Sequence, residues 1–284
     1  MGTVSAITLN WRDTKRTTAC VLSLLSEPEI HHVIVSDNES DGSLRASLGP
    51  LLDDGRISII ESEKNLGFAA GINPALLAVL DSEAEFVFVV NNDAVVEPGA
   101  IKALVHRMKL DDSLGICGPK ILNPDGSVQT LGAQVSPIRA SVRQIGLTGQ
   151  PDYLTWAAVL MRTDAIRSVG LLDERFFMYW EDVEYCLRAR DLGWGICVCE
   201  SASVVHELSA SGRGIAETVR RYYVESLVQF AFLRKGGWIL GLPFRLVILI
   251  LARIRVFDLR GGAAVFEGAV DGVLKTWKAG RLES

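Results

Sequence analysis

Carboxylates, amides and a histidine gather at a few places in this chain, each just past an apolar, β-prone run. The densest cluster is Gly170-Leu171-Leu172-Asp173-Glu174-Arg175-Phe176-Phe177-Met178-Tyr179-Trp180-Glu181-Asp182. Glu181 and Asp182 open a helical pattern, where the helix dipole favours anions. A carboxylate there, beside a wall of aromatic residues and Met178, suits a general base. The same residues also fit a plain helix start, with Glu184 and Arg188 pairing one turn on. Asn91-Asn92-Asp93 closes the apolar run EFVFVV. A carboxylate in that position can hold a divalent cation against a diphosphate, because hard cations take oxygen ligands and keep substrate phosphates in their shell. A simple Asx turn is the competing reading. His206 ends the run Ile196–Val205 and begins the polar loop to Gly212. It reads as a metal ligand or phosphate donor, or as a hydrogen-bonded core histidine.

Three more clusters follow earlier runs. They are Asn10-Trp11-Arg12-Asp13, then Ser36-Asp37-Asn38-Glu39-Ser40-Asp41-Gly42, then the stretch from Glu63 to Asn73 that holds Asn65, Gly67 and Phe68. One acidic turn is usually only a loop. Four polar clusters at successive strand ends point to one ligand crevice.

The elements that must carry these residues alternate in type. Strand patterns at Val4–Leu9, Val33–Val35, Ile57–Ile60, Glu85–Val90 and Leu114–Ile121 alternate with helical ones at Thr14–Ser26, Ser43–Leu52, Phe68–Leu80 and from Pro98 to Lys109. Pro74 predicts that the third helix starts late, near that residue. This order predicts an α/β fold, Rossmann-like, with a mainly parallel sheet and helices on both faces, and EFVFVV as a strand buried on both sides. Residues 123–150 lack periodicity and read as a long loop or irregular strands. Tyr153–Met161 and Ile196–Val205 read as strands and Trp180–Leu192 as a helix, and helices run from Ile215 to the end. The expected division is a nucleotide-binding and catalytic domain over 1–214 and a helical region over 215–284.

Composition removes several classes. With 29 basic and 34 acidic residues among 284, phosphate neutralisation on a nucleic acid is not expected. The first strand-to-helix turn, Asn10–Asp13, has no glycine, so neither a dinucleotide fingerprint nor a P-loop is present. The missing Gly-rich, Arg- or Lys-bearing phosphate loop also disfavours a sugar nucleotidyltransferase. The five cysteines are scattered, and Cys197-Val-Cys199 reads as buried strand thiols rather than a zinc pair. The opening MGTVSAITLN reads directly as a strand, so free thiols in a reducing cytosol are expected. Segment 231–260 carries six basic residues against Asp258 and contains LVILILA, an apolar run shorter than the roughly 20 residues of a bilayer span. On one helical wheel Arg245, Arg253, Arg255 and Arg260 share a half and Asp258 lies opposite. This predicts a basic amphipathic helix over 238–257 on a membrane surface, with a core helix whose arginines snorkel outwards as the alternative. An oligomer stays open.

Together the segments VSDNESDGS, NLGFAAGIN, NND, GLLDERFFMYWEDVEYCLRARDLGW and VVHELSASG resemble the family 2 inverting glycosyltransferases of GT-A fold, in their bacterial rhamnosyltransferase-like branch. The resemblance runs from about Ser5 to Tyr223, with the five motifs in family order. It implies transfer of a sugar, rhamnose-like by preference, from a dTDP- or UDP-linked donor to a glycan or lipid-linked acceptor in cell-surface polysaccharide synthesis. It implies that Asp37, with Asn10, contacts the base and ribose, and that Asn65, Gly67 and Phe68 shape the nucleotide floor. Asn38, Asn91, Asn92, Asp173 and Trp180 join them around the substrates. Asp93, the last position of the DxD-equivalent motif, and His206 would hold Mg²⁺ or Mn²⁺. Asp182 would be the base, with Glu181 beside it. Where the branch often has Arg-Asn a little beyond Tyr222-Tyr223, this chain has Val224-Glu225-Ser226. Inverting transfer is a single displacement and needs one base and one stabilised leaving group. The implied location is cytoplasmic, peripheral at the inner face of the cell membrane. The non-enzymatic alternative is a scaffold protein that keeps the fold at the membrane surface without turnover.

Overall fold

The computed structural model describes residues 3–146, 149–207 and 213–282. The first half follows the predicted alternation: β1 (Val4–Asn10), α1 (Thr14–Leu25), β2 (Ile30–Asp37), α2 (Ser43–Leu48) with a 3-10 turn to Asp53, β3 (Ile57–Glu61), α3 (Phe68–Leu80) and β4 (Phe86–Asn91). A short β5 (Ala94–Val96), α4 (Ala100–Lys109) and β6 (Leu114–Leu122) follow. Next come β7 (Val128–Thr130), β8 (Ala133–Ser136), β9 (Ser141–Gln144), β10 (Ala158–Arg162), α5 (Thr163–Val169), α6 (Glu181–Asp191) and β11 (Gly195–His206). Three helices close the chain: α7 (Arg213–Arg234), α8 (Gly237–Ile254) and α9 (Leu259–Leu282).

The strands form one sheet in the order β3-β2-β1-β4-β10-β6-β11-β5, with β7 added on β6. β1, β2, β3 and β4 pair in parallel, and so do β6 and β11. β10 lies antiparallel between β4 and β6, and β5 runs antiparallel along β11. β4 is buried on both faces and feeds two cores. Val87 and Val89 face the layer of α3, α6 and α7, whereas Phe86, Phe88 and Val90 face α1 and α4. This alternation is the period-2 pleat of a strand covered on both sides.

Three sequence expectations are corrected. Helix α3 starts at Phe68 with Pro74 inside it. Gly67, at φ +83°, turns the chain, and the Phe68 N–H is held by the Phe177 carbonyl at 2.8 Å, so tertiary anchoring of the first turn outweighs the missing proline N–H. The strand expected from Tyr153 begins only at Ala158, and Tyr153 makes an isolated bridge to Ala133. Tyr153, Leu154, Trp156 and Ala157 fill the core without pairing in the sheet. In the aperiodic stretch 123–150 the second of the two readings, irregular strands, is the one found, as β7 and the β8–β9 hairpin. The helix expected over 238–257 is α8, but it ends at Ile254, so Arg255 and Arg260 do not share its wheel, and Asp258 turns back to Arg220 at 3.4 Å and Arg253 at 3.8 Å.

Helix α7 belongs to the main core, since Leu227, Val228, Phe230 and Ala231 pack with the α3 and α6 layer. Helix α9 lies against α7 across bare glycine backbone. A Cβ on Gly268 or Gly272 would strike α7 atoms of Arg221, Val224, Glu225 and Val228.

Candidate active site

Parallel register lines up the polar residues that end the strands. Asn10 pairs with Asp37 across β1 and β2, and Leu9 pairs with Asn91 across β1 and β4. Their side chains form a chain of hydrogen bonds. Asn10 Nδ2 donates to Asp37 Oδ1 at 2.9 Å, the Thr17 hydroxyl to Asn10 Oδ1 at 2.7 Å, and Asn92 Nδ2 to Thr17 Oγ1 at 2.9 Å. Asn10, Asp37 and Thr17 are buried, so the network is rigid and Asp37 is pinned in one orientation. Asn38 Nδ2 donates to the Gly67 carbonyl at 2.8 Å, while the Gly67 N–H donates to Asn65 Oδ1 at 2.9 Å. Asn65, Gly67 and Phe68 therefore make one turn joined to the end of β2. No side chain fits at Gly67, because its Cβ would overlap the Phe177 carbonyl.

Asp93 and His206 meet at the same rim. β11 delivers His206 opposite Ala94, and His206 Nε2 lies 3.1 Å from Asp93 Oδ1. Gln129 sets the imidazole. Its Nε2 donates to Asn123 Oδ1 at 2.9 Å and to the His206 carbonyl at 3.2 Å, so its Oε1 is the acceptor 2.9 Å from His206 Nδ1. Nδ1 then carries a proton, and Nε2 is the nitrogen turned to Asp93. In a neutral ring that nitrogen presents a lone pair to a carboxylate, an arrangement that calls for a proton or a cation. Two neighbouring ligands about 2.1 Å from one octahedral ion stand roughly 3.0 Å apart, so the spacing fits a shared divalent cation. Among the described residues no group of three or more His, Cys, Asp or Glu surrounds a common point. A Mg²⁺-type ion needs only one or two protein ligands when a diphosphate and water supply the rest.

The acidic pair follows two successive residues with strained backbone. Tyr179 and Trp180 both adopt left-handed conformations, φ +68° and +69°, and Glu181 then begins α6. Non-glycine residues in this region cost of order 1 kcal/mol or more each and collect at functional sites. Burial pushes Asp182 up to about 6, against hydrogen bonds from the backbone of Val183, Asp182 and Trp156 that pull it down. Glu181 is driven up further by burial and by the Asp182 charge, and its buried Oε2 has no hydrogen-bond partner. Tyr179 is the hub of the site. Burial raises its phenol first, and then the charges of Glu181, Asp182 and Asp93, so all three carboxylates lie within electrostatic reach of one ring. An ionised Asp182 near neutral pH can accept a proton, and Asp93 with His206 can neutralise an anion.

Two predicted site residues are otherwise engaged. Asp173 is clasped by Arg175 at 2.6 Å within its own turn. Trp180 is buried against Tyr223, Phe230 and Trp238, with its Nε1 unpartnered. In the segment that departs from the resemblance, Ser226 donates to the Met178 carbonyl at 2.9 Å and so anchors the strained turn, and Glu225 is buried against Lys275. The loop beyond Glu207 to Gly212 lies outside the described residues. All five cysteines are free. Gln129, Thr17 and Tyr223 were not singled out in the sequence. Nothing local marks them, and their partners lie on other elements.

Comparison with known proteins bears on the family and on the fold. The family described as "Glycosyltransferase like family 2" matches residues 2–224. The N-acetylglucosaminyl-diphospho-decaprenol L-rhamnosyltransferase of Mycobacterium tuberculosis is 26% identical over 247 residues, 76% of this chain and 80% of that protein. A dTDP-rhamnosyl transferase of Shigella flexneri is 25% identical over 238 residues, 78% of this chain and 76% of that protein. Among solved structures, a Pyrobaculum calidifontis mannosyltransferase in complex with GDP-Man and Mn²⁺ superposes with a TM-score of 0.61 at 12% identity, over 95% of this chain and 86% of that one. S. aureus TarS 1-349 in complex with UDP gives 0.58 at 17% identity, over 95% and 92%. At such identities the structural likeness speaks for the fold alone, a GT-A glycosyltransferase fold.

Proposed function

This chain belongs to glycosyltransferase family 2, as the match over residues 2–224 establishes, and on that footing we propose that it is an inverting, metal-assisted sugar transferase. The donor is a dTDP- or UDP-linked sugar, rhamnose-like by preference, and the acceptor is a glycan or lipid-linked sugar of cell-surface polysaccharide synthesis. One observation carries the reading: His206 Nε2 faces Asp93 Oδ1 at 3.1 Å at the strand ends, and a buried acid pair, Glu181 and Asp182, opens α6 directly after the left-handed Tyr179–Trp180 turn. One supplies a leaving-group site and the other a base. The rhamnosyltransferase names of the relatives support the choice of sugar.

In this reading Asp37 and Asn10 engage the nucleoside, above a floor made by Asn65, Gly67 and Phe68. Asp182 takes the proton of the acceptor hydroxyl as that oxygen bonds to the anomeric carbon. The bond from the anomeric carbon to the diphosphate breaks in the same displacement, and its electron pair leaves with the diphosphate. No second nucleophilic carboxylate is required. A divalent cation, Mg²⁺ or Mn²⁺, would be held by Asp93 and His206 and would neutralise the charge that develops on the leaving group. Glu181, buried beside the base and pushed up well above the usual carboxylate range, is the member of the pair that keeps its proton, which leaves the ionised form to Asp182.

A thermal-shift panel of UDP, dTDP and GDP, with and without Mn²⁺, tests donor recognition, since a ligand of the native state raises apparent stability by mass action. One nucleotide is expected to stabilise the protein more with Mn²⁺ than with chelator. Proton NMR of the product would then show the anomeric configuration opposite to the donor's. A retained configuration sinks the mechanism, and indifference to all three nucleotides sinks the donor class.

A further inference from the structure

Away from the polar strand ends, β6 and β11 run side by side in parallel and set Cys117 directly opposite Cys197. Neighbouring strands lie about 4.8 Å apart, within the roughly 4.4–6.8 Å that a disulfide spans between Cα atoms. Both side chains turn to the α4 side of the sheet, where Cys117 belongs to the core and Cys197 packs against it. The two Sγ atoms stand 3.4 Å apart, in hydrogen-bond contact. A bond of about 2.05 Å asks the sulfurs to approach by side-chain rotation, with the strands already in place.

The two sulfurs have different surroundings. Cys117 is fully buried, whereas Cys197 is partly exposed and lines a cavity of about 570 Å³. Strand β5 pairs with β11 at Val204–His206, beyond the stretch of β11 that borders this cavity. The walls carry Arg107 and Arg190 together with Asp111, Asp152 and Glu200. Such a mixture of signs is complementary to a molecule that itself bears both carboxylates and ammonium groups.

The hydrogen bond with Cys117 pulls the Cys197 thiol below its ordinary value; burial opposes this, and the Arg107 charge assists it. Cys117 is driven the other way, well above its ordinary value, by the same bond and by burial. Cys20 and Cys186 are buried and pushed up to about 12. The pair thus presents a thiolate to the cavity with a protonated thiol behind it. The thiolate is the nucleophile, and partly exposed cysteines beside a cation are the reactive ones.

We propose that Cys197 and Cys117 form an exchange site for a small zwitterionic disulfide, with Cys197 as the attacking sulfur and Cys117 as the resolving one. The Cys197 thiolate attacks one sulfur of the reagent RSSR in the cavity, the S–S bond breaks, and RS⁻ departs from a mixed disulfide on Cys197. Cys117 gives its proton to that RS⁻ and attacks Cys197 Sγ from the core side. The second RS⁻ leaves and takes up the proton that Cys197 lost on ionising. Two protein thiols and RSSR become one protein disulfide and two RSH, so the protein is oxidised by two electrons and the reagent reduced by two. The link ties β6 to β11 and is undone by excess thiol, as befits a transient disulfide in a reducing compartment. It stands apart from the sugar-transfer reading, since none of its groups belongs to that site.

Oxidised glutathione and intact-mass spectrometry on the full chain test this near neutral pH. The wild type is expected to lose two hydrogens and release two glutathiones per chain. Peptide mapping should place the link between Cys117 and Cys197, and dithiothreitol should restore both thiols. Cys117→Ala is expected to stop with one glutathione carried on Cys197. Cys197→Ser should react about tenfold more slowly or not at all, and Cys199→Ser should react as the wild type does. Alkylation needs no variant: limiting iodoacetamide should label Cys197 of the native wild type before any other cysteine. Labelling that begins at Cys20, Cys186 or Cys199 overturns the assignment. So does a wild type that keeps glutathione as a stable mixed disulfide, a link made through Cys199, or a native chain that stays inert where the urea-unfolded chain reacts.

Discussion

Asp182 is costly to the fold in its ionised form and useful in that same form. Burial holds its carboxyl at about 6, above the ordinary value of 3.8. The native state therefore binds more protons than the unfolded chain between about pH 4 and 6. Stability from this group is full below the unfolded value and is lost as pH rises through about 6. Two expectations follow from one residue. Asp182→Asn keeps the shape and loses the proton acceptor, so transfer should fall by about 10²–10⁴-fold while nucleotide binding stays near wild type. The same variant should melt higher than wild type at pH 7.5, by an amount on the order of 1–3 kcal/mol, and lose that advantage near pH 4. Wild-type kcat should fall about tenfold per pH unit below 6. An Asn variant that transfers normally would move the base elsewhere, with Glu181 next. The sequence displayed this pair, because two acids after an aromatic run at a helix start form a local signal. It concealed Gln129, whose partner His206 is 77 positions away. Gln129→Leu frees the imidazole to turn, so Mn²⁺-supported nucleotide binding should weaken about 10–100-fold by calorimetry, with binding in chelator unchanged. Equal loss in both buffers would assign Gln129 to folding alone.

At the level of elements, the site depends on turns that force backbones together. Gly67, at φ +83° with Phe177 against it, locks the start of α3 to the segment leading into α6. Gly67→Ala must both strain the turn and push Phe177 away, so a loss of about 2 kcal/mol or more is expected in urea unfolding. Nucleotide binding should weaken too, since Asn38 and Asn65 hold that same turn. A variant as stable as wild type would mean that the two segments separate freely. The parallel half of the sheet was legible because apolar runs alternate with helical periods and end in polar clusters. The reversal at β10 was not, because a strand buried on both faces reads the same in either direction. Helix α5 escaped notice at seven residues, and the β8–β9 hairpin lacks a two-residue Gly turn.

For the whole molecule, the question is what covers the C-terminal helices. Leu240, Phe244 and Leu251 on α8, Phe257 between the helices, and Phe266 and Trp277 on α9 are all exposed. Phe257 reaches 92%. Helix α8 is long and apolar enough by composition to cross a bilayer, with a mean hydropathy of 1.9 and only 17% of it buried. At 1.5 Å per residue its 18 residues extend about 27 Å, and Arg245 and Arg253 lie along its inner side. A helix with charged residues turned to a cavity and apolar ones turned outward suits lying in an interface better than spanning it. The sequence offered the amphipathic character but misassigned its arginines, because a helical wheel carried across the break at residues 255–258 cannot see tertiary partners. Arg255 and Arg260 remain on the outside. The protein should therefore co-sediment with anionic vesicles at low salt and partly release at high salt, each basic residue near the surface contributing about 1 kcal/mol. Phe244→Ser with Phe257→Ser should weaken association at every salt concentration, whereas Arg255→Gln with Arg260→Gln should remove mainly the salt-sensitive part. Both double variants should keep transfer to a soluble acceptor analogue. If the wild type stays in the supernatant at low salt and elutes as a dimer that Phe244→Ser dissociates, then a second copy of the chain, not lipid, covers this face.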